Sequence, residues 1–143
     1  MPDENENPML DVYLGRIVLR DGMDRQYIYL VEQGGPRGFP IVIGNNEALE
    51  IHRVVHEIEP ERPLTHQLTH ATIQALGASV QSVDIVDLRQ NTFFAHIVLK
   101  GEDGDALTVI DARPSDAIAL ALRAKCKIRV AESVMAQAAT SPD

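Results

Sequence analysis

The chain opens with short apolar segments separated by turn-forming stretches, a pattern typical of β-strands. The predicted strands are residues 11–20, 27–33 and 39–43. Apolar residues then recur at helical spacing between positions 48 and 58, which predicts a helix that ends before Pro60. A second helix is predicted from 64 to 75, because Gly77 is a residue type that commonly follows a helix.

The same order of patterns then starts again. The second set of predicted elements comprises strands at 79–88, 92–100 and 106–111, a helix from 114 to about 123, a short extended segment at 128–130 and a helical turn or two at 132–137. EALEI at 47–51 matches DAIAL at 116–120 at an offset of 69 residues. We therefore expect two structural repeats, each with three strands and two helices, within one domain, because neither half would bury its sheet alone.

The stretch DARPSD, residues 111–116, places several polar groups at a predicted junction between a strand and a helix. Proline favours the first helical position, so Pro114 makes Arg113 the N-cap and puts Asp116 in the favoured acidic third position. Arg113 fits badly, because a cation there faces the positive end of the helix dipole. Either Arg113 forms an ion pair with Asp111 or Asp116, or the junction binds an anion such as phosphate.

A second arginine–proline pair, at residues 62–63, also enters a predicted helix. Thr65 is suited to cap that helix, and His66 follows in its first turn. The positive end of the helix favours a neutral imidazole, which can act as a base or as a metal ligand. If the fold brings the two helix starts together, their arginines form a compact anion-binding corner.

The 143-residue chain carries a formal net charge of −8, so it lacks a broad basic surface for nucleic acid. Any contact with nucleic acid must therefore be local, through a small arginine cluster or a metal. A single cysteine, an acidic N-terminus and the absence of a long apolar run lead us to expect a cytoplasmic protein.

Two other features could carry chemistry. Four of the five histidines form pairs four residues apart, which places both rings of each pair on one helix face, yet no third metal ligand is evident. Cys126 lies between Lys125 and Lys127, which would favour a thiolate. Because no histidine partner motif accompanies it, an ordinary cysteine is the simpler interpretation.

Three motifs, RPLTH at 62–66, LGA at 76–78 and DARPSDAIALALR at 111–123, resemble the bifunctional nuclease domain family. The resemblance covers residues 9–135, and we expect residues 1–8 and 138–143 to form disordered tails. The family resemblance implies an α+β fold with a mixed, barrel-like sheet built from two β3α2 repeats. It also implies hydrolysis of DNA and RNA. Family members often carry aspartate where this chain has Gln67, so a metal ligand would be missing if that carboxylate binds metal.

These observations predict a nuclease assisted by Mg²⁺ or Mn²⁺, with Asp111 and Asp116 holding the metal or positioning water and His66 as general base. The residues expected to contact phosphate are Arg62, Thr65, Arg113 and Ser115. The alternative is a non-catalytic binding or regulatory domain. In that case the same residues would lock the helix starts to the sheet, and an exposed face would meet a partner protein or a second copy of the chain.

Overall fold

The chain adopts a mixed α+β fold, and a computed structural model describes residues 7–104 and 106–139. The strands are β1 (Met9–Val18), β2 (Arg25–Glu32), β3 (Gly38–Gly44), β4 (Ser79–Arg89), β5 (Thr92–Lys100), β6 (Leu107–Ala112) and β7 (Lys127–Ala131). The helices are α1 (Asn45–Val55), α2 (Thr65–Ala75), α3 (Pro114–Ala124) and α4 (Glu132–Ala138). Among the described residues, no helix is long and apolar enough to cross a membrane.

All these strands form one sheet in the order β3-β2-β1-β7-β4-β5-β6. Two antiparallel meanders, β1 to β3 and β4 to β6, lie on either side of β7, which runs antiparallel to β1 and parallel to β4. The sheet curls into a half-barrel, so that Phe39 of β3 stacks on Phe93 of β5 with ring centroids 5.3 Å apart. The predicted α+β class with a mixed, barrel-like sheet is therefore confirmed.

Helix α3 is the most deeply buried helix of the described structure. Its central residues 117–121 are all apolar, and each is at most 1% exposed. The helix packs on α1 and α2 and against strands β3, β4, β5 and β7. Pro114 starts it, as the sequence pattern predicts, and Lys125 ends it in a left-handed conformation with φ of 58°. Polar groups of α3 are therefore confined to its two ends.

The C-terminal end of α3 is tied to α1 by a buried ion pair. Glu50 of α1 is 1% exposed, and its carboxylate accepts hydrogen bonds from Arg123 Nη2 at 2.7 Å and from Arg53 Nη2 at 3.1 Å. A charge this deeply buried must be paired, because the cost of removing it from water is otherwise uncompensated.

Arg37 joins the loop before β3 to α4. Its guanidinium donates hydrogen bonds to Glu32 at the end of β2 and to Glu132 at the start of α4. These hydrogen bonds hold the pKa of both carboxyl groups below the usual value for glutamate. The contact fastens α4 to one edge of the curled sheet.

The predicted duplication has partial support in the order of elements. Helices α1 and α3 each follow three strands, and they begin at Asn45 and Pro114, 69 residues apart. The second half differs because β7 lies between α3 and α4, whereas α2 follows α1 directly. Duplication of a β3α2 unit stays a prediction, to be tested by superposing the two halves.

The predicted tails lie partly outside the described residues, which exclude 1–6 and 140–143. In the described part, the carbonyl of Pro8 accepts a hydrogen bond from the Glu132 amide at 2.9 Å. Asn7 accepts one from the Ser133 amide at 2.9 Å, and Ala138 is the last residue of α4.

The buried pair yields a stability prediction. We expect Glu50→Ala to lower the free energy of unfolding by about 3 kcal/mol or more, because it leaves the guanidinium of Arg123 buried without its closest partner. Urea denaturation of the purified variants measures this. The control is Asp87→Asn, which breaks an exposed pair with Arg89 and should cost about 1 kcal/mol or less. Equal losses in the two variants would contradict the structural role of Glu50.

Candidate functional site

The fold brings the N-terminal turns of α2 and α3 into contact. His66, in the first turn of α2, places its Nε2 atom 2.9 Å from Oδ1 of Asp116, in the first turn of α3. These residues are 50 positions apart in the chain, so only the packing of α2 on α3 unites them. The predicted convergence of the two helix starts is therefore present in the structure.

Arg113 connects this pair to a third helix start. Its Nε atom donates to Asp116 Oδ2 at 2.9 Å, and its Nη2 atom donates to Glu47 Oε1 at 2.8 Å. Glu47 lies in the first turn of α1. We call Glu47, His66, Arg113 and Asp116 the helix-start cluster.

The cluster explains why an arginine stands at the start of α3. Glu47 and Asp116 each occupy the third position of a helix, where the exposed amides favour a carboxylate. Two carboxylates this close repel each other, and the guanidinium of Arg113 between them offsets that repulsion. The hydrogen bond that Arg113 donates to Asp116 raises the pKa of Arg113 above its already high value, so the guanidinium stays charged.

Of the two alternatives for Arg113, the ion pair is therefore formed, with Asp116 and with Glu47. Formation of this ion pair does not exclude the other alternative, that the junction binds an anion. The Arg113 side chain is 68% exposed, and no residue in the described ranges bonds to its Nη1 atom. That nitrogen is available to an oxygen of a ligand.

The contact with Asp116 fixes which nitrogen of His66 is free. An ionised carboxylate only accepts hydrogen bonds, so Nε2 must carry the proton it shares with Asp116. The other nitrogen, Nδ1, then has an unshared electron pair whenever the imidazole is neutral. Histidine held by a carboxylate in this way is a common arrangement for a general base.

The other predicted site residues are placed less centrally. Asp111 is exposed in β6, and no contact joins it to Asp116 or Arg113. Arg62 is exposed and makes no hydrogen bond or ion pair with any residue that the structure describes. Thr65 is the first residue of α2, whereas the capping position that we expected it to fill is taken by Leu64. Ser115 is buried in the first turn of α3.

Glu47 is a member of the cluster that sequence reasoning missed. Its signal was present in the repeat, because the offset of 69 residues pairs Glu47 with Asp116 and Gly44 with Arg113. Equivalent positions in a duplicated fold meet similar surroundings. The match between Glu47 and Asp116 was therefore the signal that could have identified Glu47 as a candidate site residue.

Gln67, at the position where the resemblance led us to expect aspartate, has a structural role. Its Oε1 atom accepts a hydrogen bond from the amide of Leu64 at 2.9 Å, which satisfies a free donor at the start of α2. Its Nε2 atom donates to Glu59 at 3.3 Å. The side chain thus stabilises the helix start that carries His66.

The residues present do not form a metal cage. Across residues 7–104 and 106–139, no three histidine, cysteine, aspartate or glutamate side chains lie together as metal ligands. Within the cluster, both carboxylates already bind Arg113. The rings of His52 and His56 lie with centroids 4.3 Å apart, and no third ligand joins them among the described residues.

Cys126 has the properties of a structural thiol. Burial raises its pKa to about 11, and the nearby Asp84 carboxylate acts in the same direction. The influence expected from Lys125 and Lys127 is therefore outweighed. The thiol stays protonated at neutral pH and is a poor nucleophile.

A cleft of about 370 Å³ opens beside the cluster. Its walls are residues 40–44 of β3, residues 91–93 at the turn into β5, and residues 113–115 at the start of α3. The cleft lies where the two ends of the curled sheet approach each other. We call it the β3–α3 cleft.

The family model and the named relatives that match this chain point to the same family. Residues 28–143 match the model of the bifunctional nuclease domain. The chain is 40% identical over 130 residues to an uncharacterized protein of Mycobacterium tuberculosis, covering 91% of this chain and 76% of that protein. It is 26% identical over 122 residues to bifunctional nuclease 2 of Oryza sativa subsp. japonica, covering 84% of this chain and 37% of the rice protein. Bifunctional nuclease 2 of Arabidopsis thaliana is 26% identical over 102 residues, or 70% of this chain and 31% of that protein.

The geometry of His66 yields a spectroscopic prediction. We expect ¹⁵N chemical shifts of the labelled protein, at a pH where the imidazole is neutral, to show the proton of His66 on Nε2. In Asp116→Asn this preference should weaken, because an amide can either donate or accept. His70, one turn later on α2, is the internal control because it has no partner among the described residues. A wild-type proton on Nδ1 would contradict the expectation that His66 can act as a general base.

Proposed function

The chain belongs to the bifunctional nuclease domain family, and we propose that it hydrolyses phosphodiester bonds of nucleic acid at the helix-start cluster. The observation that carries this proposal is the 2.9 Å contact between His66 and Asp116, beside the exposed guanidinium of Arg113. A base and a phosphate-binding cation are groups that can promote hydrolysis of a phosphodiester. Family membership alone suggests the reaction class, and the cluster suggests where it occurs.

In the proposed reaction, His66 activates the attacking water. Nδ1 takes a proton from the water as its oxygen forms a bond to phosphorus, and the bond to the leaving sugar oxygen breaks. The leaving oxygen takes a proton from solvent, and the imidazolium of His66 returns its proton to solvent before the next turnover. Asp116 orients the imidazole and stabilises its positive charge during the step.

Arg113 stabilises the charge that develops on the phosphoryl oxygens. Its Nε and Nη2 atoms are held by Asp116 and Glu47, which fixes the plane of the guanidinium. The Nη1 atom is left to face the substrate. A cation that is already positioned needs no reorganisation during the reaction, so its stabilisation is expressed in the transition state.

The predicted metal, Mg²⁺ or Mn²⁺, stays a proposal, because the described residues do not form a group of side chains that would surround it. Asp116 is occupied by His66 and Arg113, and Asp111 is separate from it. Such a metal would have to be held chiefly by substrate phosphate and water, as Mg²⁺ often is. A cleavage assay with metal and with chelator therefore tests whether a metal takes part.

The net charge of −8 restricts how nucleic acid can bind. A duplex spread over an acidic surface is repelled, so the contacts must be few and local. Arg113 and the start of α3 fit this requirement, and exposed Arg62 precedes α2 in the chain. Whether DNA or RNA is preferred is decided by the cleavage assay.

A second candidate function has support from the same residues. The guanidinium of Arg113 joins the starts of α1 and α3, as expected of a structural element in a non-catalytic binding or regulatory domain. On this alternative, the cluster holds the helices in place and no bond is cleaved. Wild-type protein free of cleavage activity would favour it.

The cleavage test compares wild type with His66→Gln and Asp116→Asn on single-stranded DNA and RNA, each with Mg²⁺, Mn²⁺ or chelator. We expect both variants to lower kcat/KM by about 10²-fold or more, the usual contribution of a general base. His70→Gln is the matched control, since it changes a histidine of the same helix outside the cluster, and its activity should stay within about twofold of wild type. Melting curves of all proteins exclude unfolding as the cause.

Two results would contradict the proposal. Equal cleavage by wild type and both cluster variants would indicate a contaminating nuclease or a different site. Wild-type protein that cleaves neither substrate under any metal condition would leave the binding or regulatory function. Cleavage that occurs with Mg²⁺ or Mn²⁺ and is lost with chelator would establish a metal requirement. The arrangement of side chains alone does not reveal one.

A further inference from the structure

The β3–α3 cleft has one polar end, at the first turn of α3. Proline at the first position has no amide hydrogen, and Arg113 makes no side-chain cap. The amides of Ser115 and Asp116 therefore have no hydrogen-bond partner among the described residues. Free amides at a helix start, together with the helix dipole, favour an anion.

Ser115 gives an independent indication of a ligand at this end. The residue is 8% exposed and lines the cleft, yet nothing in residues 7–104 or 106–139 bonds to its hydroxyl group. Its oxygen is not among the fully enclosed polar atoms that lack a partner, so the hydroxyl group is reached from the cleft. The cleft is the place from which a partner can come.

The opposite wall of the cleft is apolar. It includes Pro40 and Val42, which are exposed on β3, and Phe93, whose ring stacks on the fully buried Phe39. Because Phe39 covers one face of the Phe93 ring, only the other face can receive a flat group. Asn91 and Thr92 line the cleft beside this wall and offer polar groups to the edge of such a ligand.

We propose that the β3–α3 cleft binds one nucleotide of an unpaired strand, with phosphate at Ser115 and the base on the wall formed by Pro40, Val42 and Phe93. The volume of about 370 Å³ is near the lower limit for small-molecule sites, which suits one nucleotide. This inference rests on the proposed function and adds its substrate class. A base inside a duplex cannot reach the wall without being flipped out, so single strands and frayed ends are the favoured substrates.

The carboxylates near the phosphate end are compatible with an anion. Asp116 and Glu47 are the acidic groups of the cluster, and both bind the guanidinium of Arg113. Their charge is therefore partly offset where the phosphate would lie. Arg113 itself lines the cleft, and the charge of its guanidinium adds attraction for the ligand.

The test measures equilibrium binding of AMP, adenosine and inorganic phosphate by calorimetry. AMP should bind wild type at least about tenfold more tightly than either fragment, because it contacts both ends of the cleft. Val42→Glu should weaken AMP and adenosine by about tenfold or more, since it places a charge on the apolar wall. Ser115→Ala should weaken AMP and phosphate but leave adenosine unchanged, which separates the two ends.

Val109→Glu is the matched control for Val42→Glu. Both valines lie in edge strands of the sheet, and they are 55% and 50% exposed respectively, but Val109 does not line the cleft. Its AMP affinity should stay within about twofold of wild type, because a surface substitution away from the ligand has little effect. Melting curves confirm that each variant is folded.

The outcomes distinguish this inference from the proposed function. If AMP does not bind, or binds wild type and Val42→Glu equally, while cleavage depends on His66, the cleft is not the nucleotide site and the nuclease proposal stands. If AMP binds as expected and no cleavage occurs, the nucleotide site stands and the nuclease proposal fails. Cleavage that is as fast on blunt duplex as on a single strand would also overturn the inference.

Discussion

The burial of α3 is the constraint on which the site depends. Because residues 117–121 are apolar and enclosed, the helix can place charged groups only at its ends. Each end then pairs with α1, through Arg123 and Glu50 at one end and through Arg113 and Glu47 at the other. The first turn of α3 also lies against α2, because the two helices pack on each other, and this positions Asp116 beside His66.

The site combines structural and chemical roles in the same residues. Arg113 joins two carboxylates that favour their own helix starts and would otherwise repel each other. With its plane fixed in this way, one nitrogen remains for a ligand. On the proposed function, an acidic protein binds a polyanion through this local arrangement and needs no basic surface.

The sequence predicted the elements well because their turn and capping signals are local. Pro114 marked the start of α3, and the misplaced charge of Arg113 identified the junction as unusual. The end of α1 was predicted less well. The helical spacing continued to Ile58, yet α1 ends at Val55 and Glu57 has a positive φ. Val55 and Ile58 are both about half exposed. The pairing of Arg113 with Glu47 depends on how α1 packs on α3, which no local pattern specifies. The positions of Asp111 and Arg62 outside the cluster are likewise set by tertiary packing, which no local pattern specifies.

On the proposed function His66 and Asp116 act as one catalytic unit, and a double-mutant cycle tests this most directly. kcat/KM for cleavage of a single-stranded substrate is measured for wild type, His66→Gln, Asp116→Asn and the double variant. If Asp116 acts through His66, the double variant should retain kcat/KM within about threefold of the less active single variant. Losses that multiply in the double variant would show that the two residues act independently and would contradict the account.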